Sequence, residues 1–353
     1  MLPPEPNPLL GTAFHTVGAG SAALCYAPQR YLHKWSWQTY WLLQAAACWL
    51  ILPWIFALLT IPELGAVLTE APKDAMLKSY LLGVLYGIGG IAFGVAIRHI
   101  GYSLTYALAI SISCVLGTLL PPLLAGKLGE TLNTHAGLLV IGGVLLGGGA
   151  MIVTGFAGFR RERETTSDAG KTPFNARLGL PIVLLAGVLS AVFNFSLQAA
   201  APVAEVAARH GAGYFQGNVI YLFSNSGAFT TTLIYAGFLA TRGKTWGEFF
   251  RTSDGTGLVR NYLLSFLTGL LWYLQFFFYG LGHVRMGRFE FSSWAIHMII
   301  LILLSCGFGV AIGEWKSAKK NTRLLVTASI ALLLGAVGLI GYGNFLASAP
   351  AIH

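Results

Sequence analysis

The sequence predicts an all-α integral membrane protein. Of its 353 residues, 55% are hydrophobic and only 10% are charged, whereas soluble domains carry about 25% charged residues. The mean hydropathy of +0.68 points the same way. A soluble protein of this composition would lack the charged groups that its surface needs. The apolar residues also collect into segments of about 20 residues, the length at which a helix crosses a bilayer.

Ten such segments follow one another, and we predict a transmembrane helix for each. Their predicted bounds are 9–27, 38–60, 76–97, 103–125, 134–156, 178–200, 215–240, 260–281, 291–313 and 323–346. The opening residues MLPPEPNP lack the positive charge of a signal peptide, so we expect the first segment to be retained. The intervals between the segments are too short for a separate soluble domain.

The distribution of basic residues predicts the orientation of the chain. Loops that follow odd-numbered spans, counted with the first residue of the next span, carry 16 of the 22 lysines and arginines. Because basic residues concentrate on the cytoplasmic side, we expect both termini in the periplasm. The basic segment Arg160–Arg177 then becomes a cytoplasmic linker, with ETTSDAGKT as its most flexible stretch. The charges between spans contact lipid headgroups in this interpretation, and no nucleic-acid-binding motif accompanies them.

The linker also separates two halves that resemble each other. Gly18-x-x-Ser21-Ala22 in span one matches Gly187-x-x-Ser190-Ala191 in span six. Further matches occur between spans three and eight, namely Gly83, Gly94 and Gly101 with Gly269, Gly280 and Gly287, and Tyr86 with Trp272. Because each half holds five spans, the second enters the membrane inverted. We therefore predict two inverted five-helix repeats, residues 1–158 and 178–353, joined by the linker 159–177; many secondary transporters share this architecture.

Span eight carries a polar and aromatic stripe. Trp272, Gln275, Tyr279 and His283 recur at steps of three and four residues, so one helical face presents them together. An amide in hydrocarbon is costly unless its hydrogen bonds are satisfied. Aromatic rings beside polar groups also suit a sugar, which needs flat apolar surfaces and hydrogen-bond partners. The alternative is an aromatic packing face with an internally bonded glutamine.

A polar layer is predicted near the periplasmic ends of several spans. His15 and His297 each lie about six residues inside a span, and Gln275 lies about six residues before the end of span eight. At about 1.5 Å per residue, all three lie roughly 9 Å below the outer boundary. Asn194 in span six lies at a similar level. We expect these residues to line one outward-facing cavity.

The embedded residues divide into two expected roles. Histidine titrates near neutrality, so His15 and His297 are candidates for carrying a proton, with hydrogen-bonded packing residues as the alternative. Glu205 is a further candidate proton acceptor, or a solvated charge at a helix end. Asn225 in the run SNSGAFTTT contacts substrate or bonds the backbone beside Gly227. Gln275, Trp272, Tyr279, Asn194 and Asn225 form the predicted substrate-binding set.

Several functional classes lack their signatures. The sequence contains no GxxxxGK[ST] motif, so transport would run on a gradient rather than on ATP. No selectivity-filter sequence favours a channel. No nucleophile–base pair and no metal cluster stands out, which predicts neither an enzyme nor a metal or other cofactor. The cysteines Cys25, Cys48, Cys114 and Cys306 lie in apolar surroundings and read as small buried residues.

Several motifs together resemble a known family. They are FHTVGAGSAALCYAP (14–28), KWSW (34–37), IRHIGYS (97–103), WYLQFFFYGLGHVR (272–285) and WAIHM (294–298). In this order they are similar to the L-rhamnose–proton symporters of the drug/metabolite transporter superfamily, nearly end to end. The resemblance implies ten helices in inverted halves, a bacterial inner membrane, and uptake of L-rhamnose, or of L-lyxose or L-mannose, with a proton. Analogy with the superfamily favours a monomer.

Two other hypotheses stay open beside the proton-coupled sugar importer. The first is an exporter of cationic drugs or metabolites from the same superfamily. Small multidrug exporters have a carboxylate in their first span, where this chain has His15. The second is a membrane sugar sensor that binds sugar in detergent without carrying it into liposomes.

Overall fold

The computed structural model describes residues 6–165, 174–252 and 255–348. Helices account for most of these residues, and the described part of the chain contains no β-strand. In chain order the α-helices are α1 (Pro8–Leu24), α2 (Trp37–Ala45), α3 (Leu52–Thr60), α4 (Leu64–Glu70), α5 (Lys73–Ile100), α6 (Tyr102–Leu124), α7 (Leu128–Leu132), α8 (His135–Thr165), α9 (Ala176–Ala199), α10 (Ala201–Arg209), α11 (Tyr221–Arg242), α12 (Leu258–His283), α13 (Ser293–Ala311) and α14 (Lys320–Ser348).

Eight helical segments of the described chain are long and apolar enough to cross a membrane. They are Trp37–Thr60, Lys73–Ile100, Tyr102–Leu124, His135–Thr165, Ala176–Arg209, Leu258–His283, Gly287–Ala311 and Lys320–Ser348. The all-α membrane class predicted from composition is therefore confirmed. Predicted spans one and seven coincide with α1 and α11, which fall outside this set. Helix α1 has only 17 residues, and α11 contains the polar run SNSGAFTTT.

The predicted linker begins as helix rather than as a loop. Helix α8 continues to Thr165, about two turns beyond the predicted end of span five at residue 156. Two carboxylates secure this extension: Glu162 accepts hydrogen bonds from the Ser103 hydroxyl and N–H, and Glu164 accepts from Thr322 Oγ1 at 2.7 Å and Lys319 N at 2.8 Å. Most of the stretch ETTSDAGKT, predicted to be flexible, lies outside the described residues.

One wide helical turn interrupts span two. Residues Ala46–Ile51 form a π-helix between α2 and α3, and the N–H of Leu52 donates to the carbonyl of Ala47, five residues earlier. Pro53 follows this turn. A proline cannot donate to the carbonyl four residues before it and its ring displaces that carbonyl, which favours a wider turn. The apolar run alone gave no sign of this irregularity.

The structure divides into two compact units, and each takes residues from both halves of the sequence. The first unit contains Ser21–Gly87 and Ser196–Leu281. The described part of the second unit contains residues 6–20, 88–165, 174–195 and 282–348. Helices α1, α5, α9 and α12 therefore each contribute to both units.

Within the first unit, α2, the π turn and α3 pack against α11. Helix α5 crosses α11 at very short range. A Cβ atom built on Gly83 would lie 2.1 Å from the carbonyl oxygen of Ser224, and one built on Gly227 would lie 2.1 Å from that of Tyr80. Glycine is required at both positions because any side chain would separate the backbones. Small residues hold helices together in this way where lipid provides no hydrophobic drive.

Within the second unit, α8 packs along α6 and α14, and α13 contacts all three helices. Helix α6 carries Pro121 and Pro122 near its end. The buried polar groups of this unit, which include two histidines and Asn194, lie among these helices and the first part of α1.

Candidate functional site

Three aromatic rings of the first unit surround one tryptophan. The ring centroid of Trp272 lies 5.4 Å from that of Tyr26, 5.6 Å from Trp41 and 5.3 Å from Trp49, each pair meeting edge to face. We call Tyr26, Trp41, Trp49 and Trp272 the aromatic cluster. Edge-to-face contact is a favourable arrangement for aromatic rings. Trp272, predicted from the stripe of span eight, is thus the centre of a larger aromatic surface.

A close contact between two helices places Trp272 in this cluster. A Cβ atom on Gly269 would lie 2.7 Å from the carbonyl oxygen of Gln44 and 2.6 Å from Cβ of Ala47. Gly269 therefore allows α12 to approach α2 and the π turn. Trp272 lies one turn further along α12, where its ring reaches both Trp41 and Trp49.

The other predicted substrate residues of the first unit have different surroundings. Gln275 is half-buried, whereas Tyr279 is buried. Asn225 on α11 is fully buried; its Oδ1 accepts the hydroxyl of Ser224 at 3.3 Å, and its Nδ2 has no hydrogen-bond partner among the described residues. A free amide N–H₂ in such a place is available to a ligand. Within the first unit, the predicted residues therefore remain compatible with sugar contact.

The two histidines predicted at one depth lie side by side in the second unit. Their ring centroids are 5.8 Å apart with the rings nearly perpendicular, and both side chains are buried. We call His15 and His297 the histidine pair. Gly282 leaves room for the His15 ring, because a Cβ atom at this position would lie 2.9 Å from both Cε1 and Nε2 of His15. Next along the chain is His283, whose Nδ1 lies 3.1 Å from the hydroxyl of Ser293.

Asn194, predicted to bind substrate, makes a bond to the backbone within the second unit. Its Nδ2 donates to the carbonyl oxygen of Gly117 at 2.7 Å. In a regular helix that carbonyl would accept from residue 121, but Pro121 has no N–H. Asn194, itself buried, thus replaces a hydrogen bond that the proline removes. This bond gives the side chain a structural task beside any contact with substrate.

Glu205, the third predicted proton carrier, is exposed on α10. Its position agrees with the alternative of a solvated charge near a helix end. The described residues contain no cluster of three or more His, Cys, Asp or Glu side chains that is able to hold a metal ion. The four cysteines are free and buried, as their apolar surroundings indicated.

Sequence reasoning missed several residues around these regions. Arg285, at the end of span eight, is buried with its guanidinium 4.8 Å above the ring of Phe14, one residue from His15. Trp41 and Trp49 are eight residues apart, which in a regular helix leaves them about 80° apart in direction. The π turn that brings both to Trp272 is not revealed by hydrophobic periodicity, although Pro53 is a local signal that favours it. Gln44 lies between them in the sequence and is fully buried.

Comparison with known proteins identifies the family. The sequence model of the L-rhamnose-proton symport protein (RhaT) family matches residues 6–346. The chain belongs to this family. It is therefore a membrane transporter rather than an enzyme.

Relatives in this family match over nearly their whole length. The L-rhamnose-proton symporter of Mannheimia succiniciproducens is 34% identical over 343 residues, which cover 95% of this chain and 98% of the relative. The symporters of Cronobacter sakazakii and of Escherichia coli strain SMS-3-5 are 33% and 32% identical, each over 95% of this chain and 97% of the relative. The resemblance read from the sequence motifs is thus confirmed.

Proposed function

We propose that this chain imports L-rhamnose together with a proton across the bacterial inner membrane by alternating access. The observation that carries the proposal is the family match over residues 6–346, together with relatives named L-rhamnose-proton symporter that align with 95% of the chain. An aromatic cluster suited to a sugar ring and a buried histidine pair suited to a proton support it.

We further propose that the membrane domain has ten helices, with α1 and α11 added to the eight apolar ones, arranged as inverted repeats 1–158 and 178–353. The contacts of two matched glycines support this symmetry. Gly83 of span three approaches Ser224 of span seven, and Gly269 of span eight approaches Gln44 of span two. If a two-fold axis relates the halves, a contact of span three with span seven is accompanied by the equivalent contact of span eight with span two.

The proposed orientation places both termini in the periplasm and the linker 159–177 in the cytoplasm. The supporting observation is that 16 of the 22 basic residues follow odd-numbered spans. We propose that the transporter acts as a monomer, since each repeat supplies residues to both compact units of the single chain.

In the proposed cycle, the sugar ring lies against Trp272 and Tyr279 of the first unit, and its hydroxyls bond Gln275 and Asn225. His15 and His297 exchange the coupled proton. Sugar and proton together favour the inward-open state over the outward-open state only if they bind the inward-open state more tightly.

The experiment that tests the function measures external pH in lightly buffered, de-energised cells or proteoliposomes when L-rhamnose is added. Symport predicts alkalinisation specific to L-rhamnose, because protons enter with the sugar. Accumulation of labelled L-rhamnose without a pH change would refute proton coupling. Absence of both uptake and pH change would refute the proposed substrate and favour the exporter or sensor hypotheses.

A second experiment tests the proposed role of Gln275. We expect Gln275→Ala to abolish uptake while the protein still reaches the membrane in normal amount. Gln198→Ala is the matched control, because Gln198 is an exposed glutamine at the end of α9. Near-normal uptake by Gln275→Ala would remove this residue from the site.

A further inference from the structure

Gln44 is a buried amide of the first unit that the proposed function does not yet use. Its side chain is fully buried, and neither Oε1 nor Nε2 has a hydrogen-bond partner among the described residues. Burying an amide without partners costs free energy, and the cost is greater where hydrocarbon surrounds the protein. A merely structural position would be better filled by leucine or methionine.

The backbone around Gln44 is fixed by its neighbours. The hydroxyl of Tyr40, one turn earlier on α2, donates to Thr268 Oγ1 at 3.1 Å. The carbonyl of Gln44 itself meets Gly269, one turn before Trp272. Gln44 therefore lies on the face of α2 that packs against α12, beside the aromatic cluster.

The π turn aligns Gln44 with two tryptophans. Gln44 follows Trp41 by three residues and precedes Trp49 by five, and a π turn brings residues five apart to one side of a helix. Both tryptophan rings reach Trp272, at 5.6 and 5.3 Å. The face that carries both rings thus also carries the amide.

Trp49 provides a second unsatisfied group on this face. Its side chain is buried, and its indole Nε1 has no hydrogen-bond acceptor among the described residues. A buried indole N–H ordinarily finds a partner. Helix α11, which carries the free Nδ2 of Asn225, packs against α2 and the π turn. Three unsatisfied polar side chains therefore occur on α2, the π turn and α11, which pack together.

We propose that Gln44 and the indole N–H of Trp49 hydrogen-bond the hydroxyls of the transported sugar while its apolar face lies against Trp272. The inference rests on the proposed function and adds two binding residues to it. An amide offers a donor and an acceptor, which suits adjacent hydroxyls, whereas the indole offers a donor alone. The ligand class is a neutral monosaccharide, since no charged group takes part.

The main test compares Gln44→Leu with wild type for equilibrium binding of L-rhamnose by purified protein and for the KM of uptake in proteoliposomes. Leucine has nearly the same volume and needs no hydrogen bonds. We expect Kd and KM to rise roughly ten- to a hundredfold, the loss expected for one or two hydrogen bonds. The thermal midpoint should stay the same or rise, because an unsatisfied amide has been removed.

Gln38→Leu is the matched control. Gln38 lies on the same helix and its Nε2 donates to Thr245 Oγ1 at 3.0 Å. This variant should lower the thermal midpoint and leave Kd and KM unchanged. The proposal predicts opposite patterns for the two glutamines, which a general effect of removing amides would not produce.

A panel of deoxy sugars gives a sharper readout. The analogue that lacks the hydroxyl bound by Gln44 should bind wild type and Gln44→Leu equally, whereas L-rhamnose distinguishes them. Trp49→Phe keeps an aromatic ring and removes the N–H, so it should raise the Kd for L-rhamnose. The analogue that binds wild type and Trp49→Phe equally should be a different one, which lacks the hydroxyl bound by the indole. If Gln44→Leu does not reach the membrane, Trp49→Phe carries the test.

The outcomes distinguish failure of the proposed roles of Gln44 and Trp49 from failure of the proposed transport function. If wild type carries L-rhamnose and both Gln44→Leu and Trp49→Phe match it in Kd and KM, the inference is wrong and the proposed function stands. If wild type neither binds nor carries L-rhamnose, the proposed function is wrong and the inference falls with it.

Discussion

The imidazole of His15 meets that of His297 edge to face, with ring centroids 5.8 Å apart inside the second unit. Both rings are buried, so protonating both at once would place two charges together in a poorly solvated region. The pair is therefore expected to hold at most one proton. Such an arrangement suits a carrier that binds a single proton in each cycle.

Replacing either histidine by glutamine should separate sugar exchange from proton movement. Glutamine keeps a hydrogen-bonding group of similar reach but does not titrate. We expect His15→Gln or His297→Gln to lose alkalinisation driven by L-rhamnose while retaining exchange of labelled for unlabelled sugar at equilibrium. His135→Gln, an exposed histidine at the start of α8, is the control. Full alkalinisation in both variants would exclude the pair as the proton carrier.

The position of His15 should depend on the absence of a side chain at Gly282. A Cβ atom there would lie 2.9 Å from the His15 ring and 2.8 Å from the carbonyl oxygen of Gly11. We expect Gly282→Ala to shift the ring and reduce proton-coupled uptake at least tenfold. Gly338→Ala on α14, where a Cβ atom meets nothing described within 4 Å, should have normal uptake. Equal uptake by the two variants would contradict this prediction.

The bond between Asn194 and Gly117 should matter only because of Pro121. We expect Asn194→Ala to lower the free energy of unfolding by about 1–3 kcal/mol, the cost of an unsatisfied buried carbonyl. In a Pro121→Ala background, the helix regains its own donor and the same substitution should cost less. Thermal unfolding of the four proteins in detergent forms a double-mutant cycle. A higher KM with unchanged stability would instead favour direct contact with sugar.

Sugar uptake should depend on the ring surface at the centre of the aromatic cluster more than on the identity of the ring. Trp272→Ala removes the ring that Tyr26, Trp41 and Trp49 share, so we expect uptake to fall below a tenth of wild type. Trp272→Phe keeps a flat apolar face and should retain more activity with a raised KM. Equilibrium binding of L-rhamnose by both variants checks the order. Identical behaviour of the two would argue against stacking of sugar on this residue.

An ionic cluster beside the end of the segment Ala176–Arg209 predicts a pH dependence of stability. His210 Nδ1 lies 3.1 Å from Glu63 and its Nε2 lies 2.9 Å from Glu70, which also binds Arg209 at 2.7 Å. Hydrogen bonds to Glu70 and Glu63 raise the pKa of His210 above 6.5, and hydrogen bonds from Arg209 and His210 lower the pKa of Glu70 below 4.5.

The signs of these two shifts define a window. The stability that His210 contributes to the folded state is complete below its unfolded pKa and is lost as the pH rises through its raised folded pKa. The stability that Glu70 contributes is complete above its unfolded pKa and is lost as the pH falls through its lowered folded pKa. The thermal midpoint of His210→Asn should therefore lie furthest below wild type between about pH 4.5 and 6.5. A difference that grows above pH 7 would contradict this account.

Some features of this protein followed from local properties of the sequence. Hydrophobic length and sparse charge were sufficient for the membrane class, because a bilayer imposes the same requirement on each span. Counting residues from the ends of the spans placed His15 and His297 at one depth, and they are neighbours in the structure. The motif order from FHTVGAGSAALCYAP to WAIHM was sufficient for the family.

Other features depended on which helices meet. The bond from Asn194 to Gly117 needs α9 beside the proline-containing end of α6, and the burial of Gln44 needs α12 at contact distance across Gly269. The alignment of Trp41 with Trp49 needs a π turn that periodicity does not reveal. Periodicity assigns residues to a helical face, but only packing decides what that face contacts and which polar groups remain unsatisfied. The sequence by itself therefore determined the class and the family and indicated that the two histidines are neighbours, and the tertiary structure decided how the aromatic and amide groups are arranged.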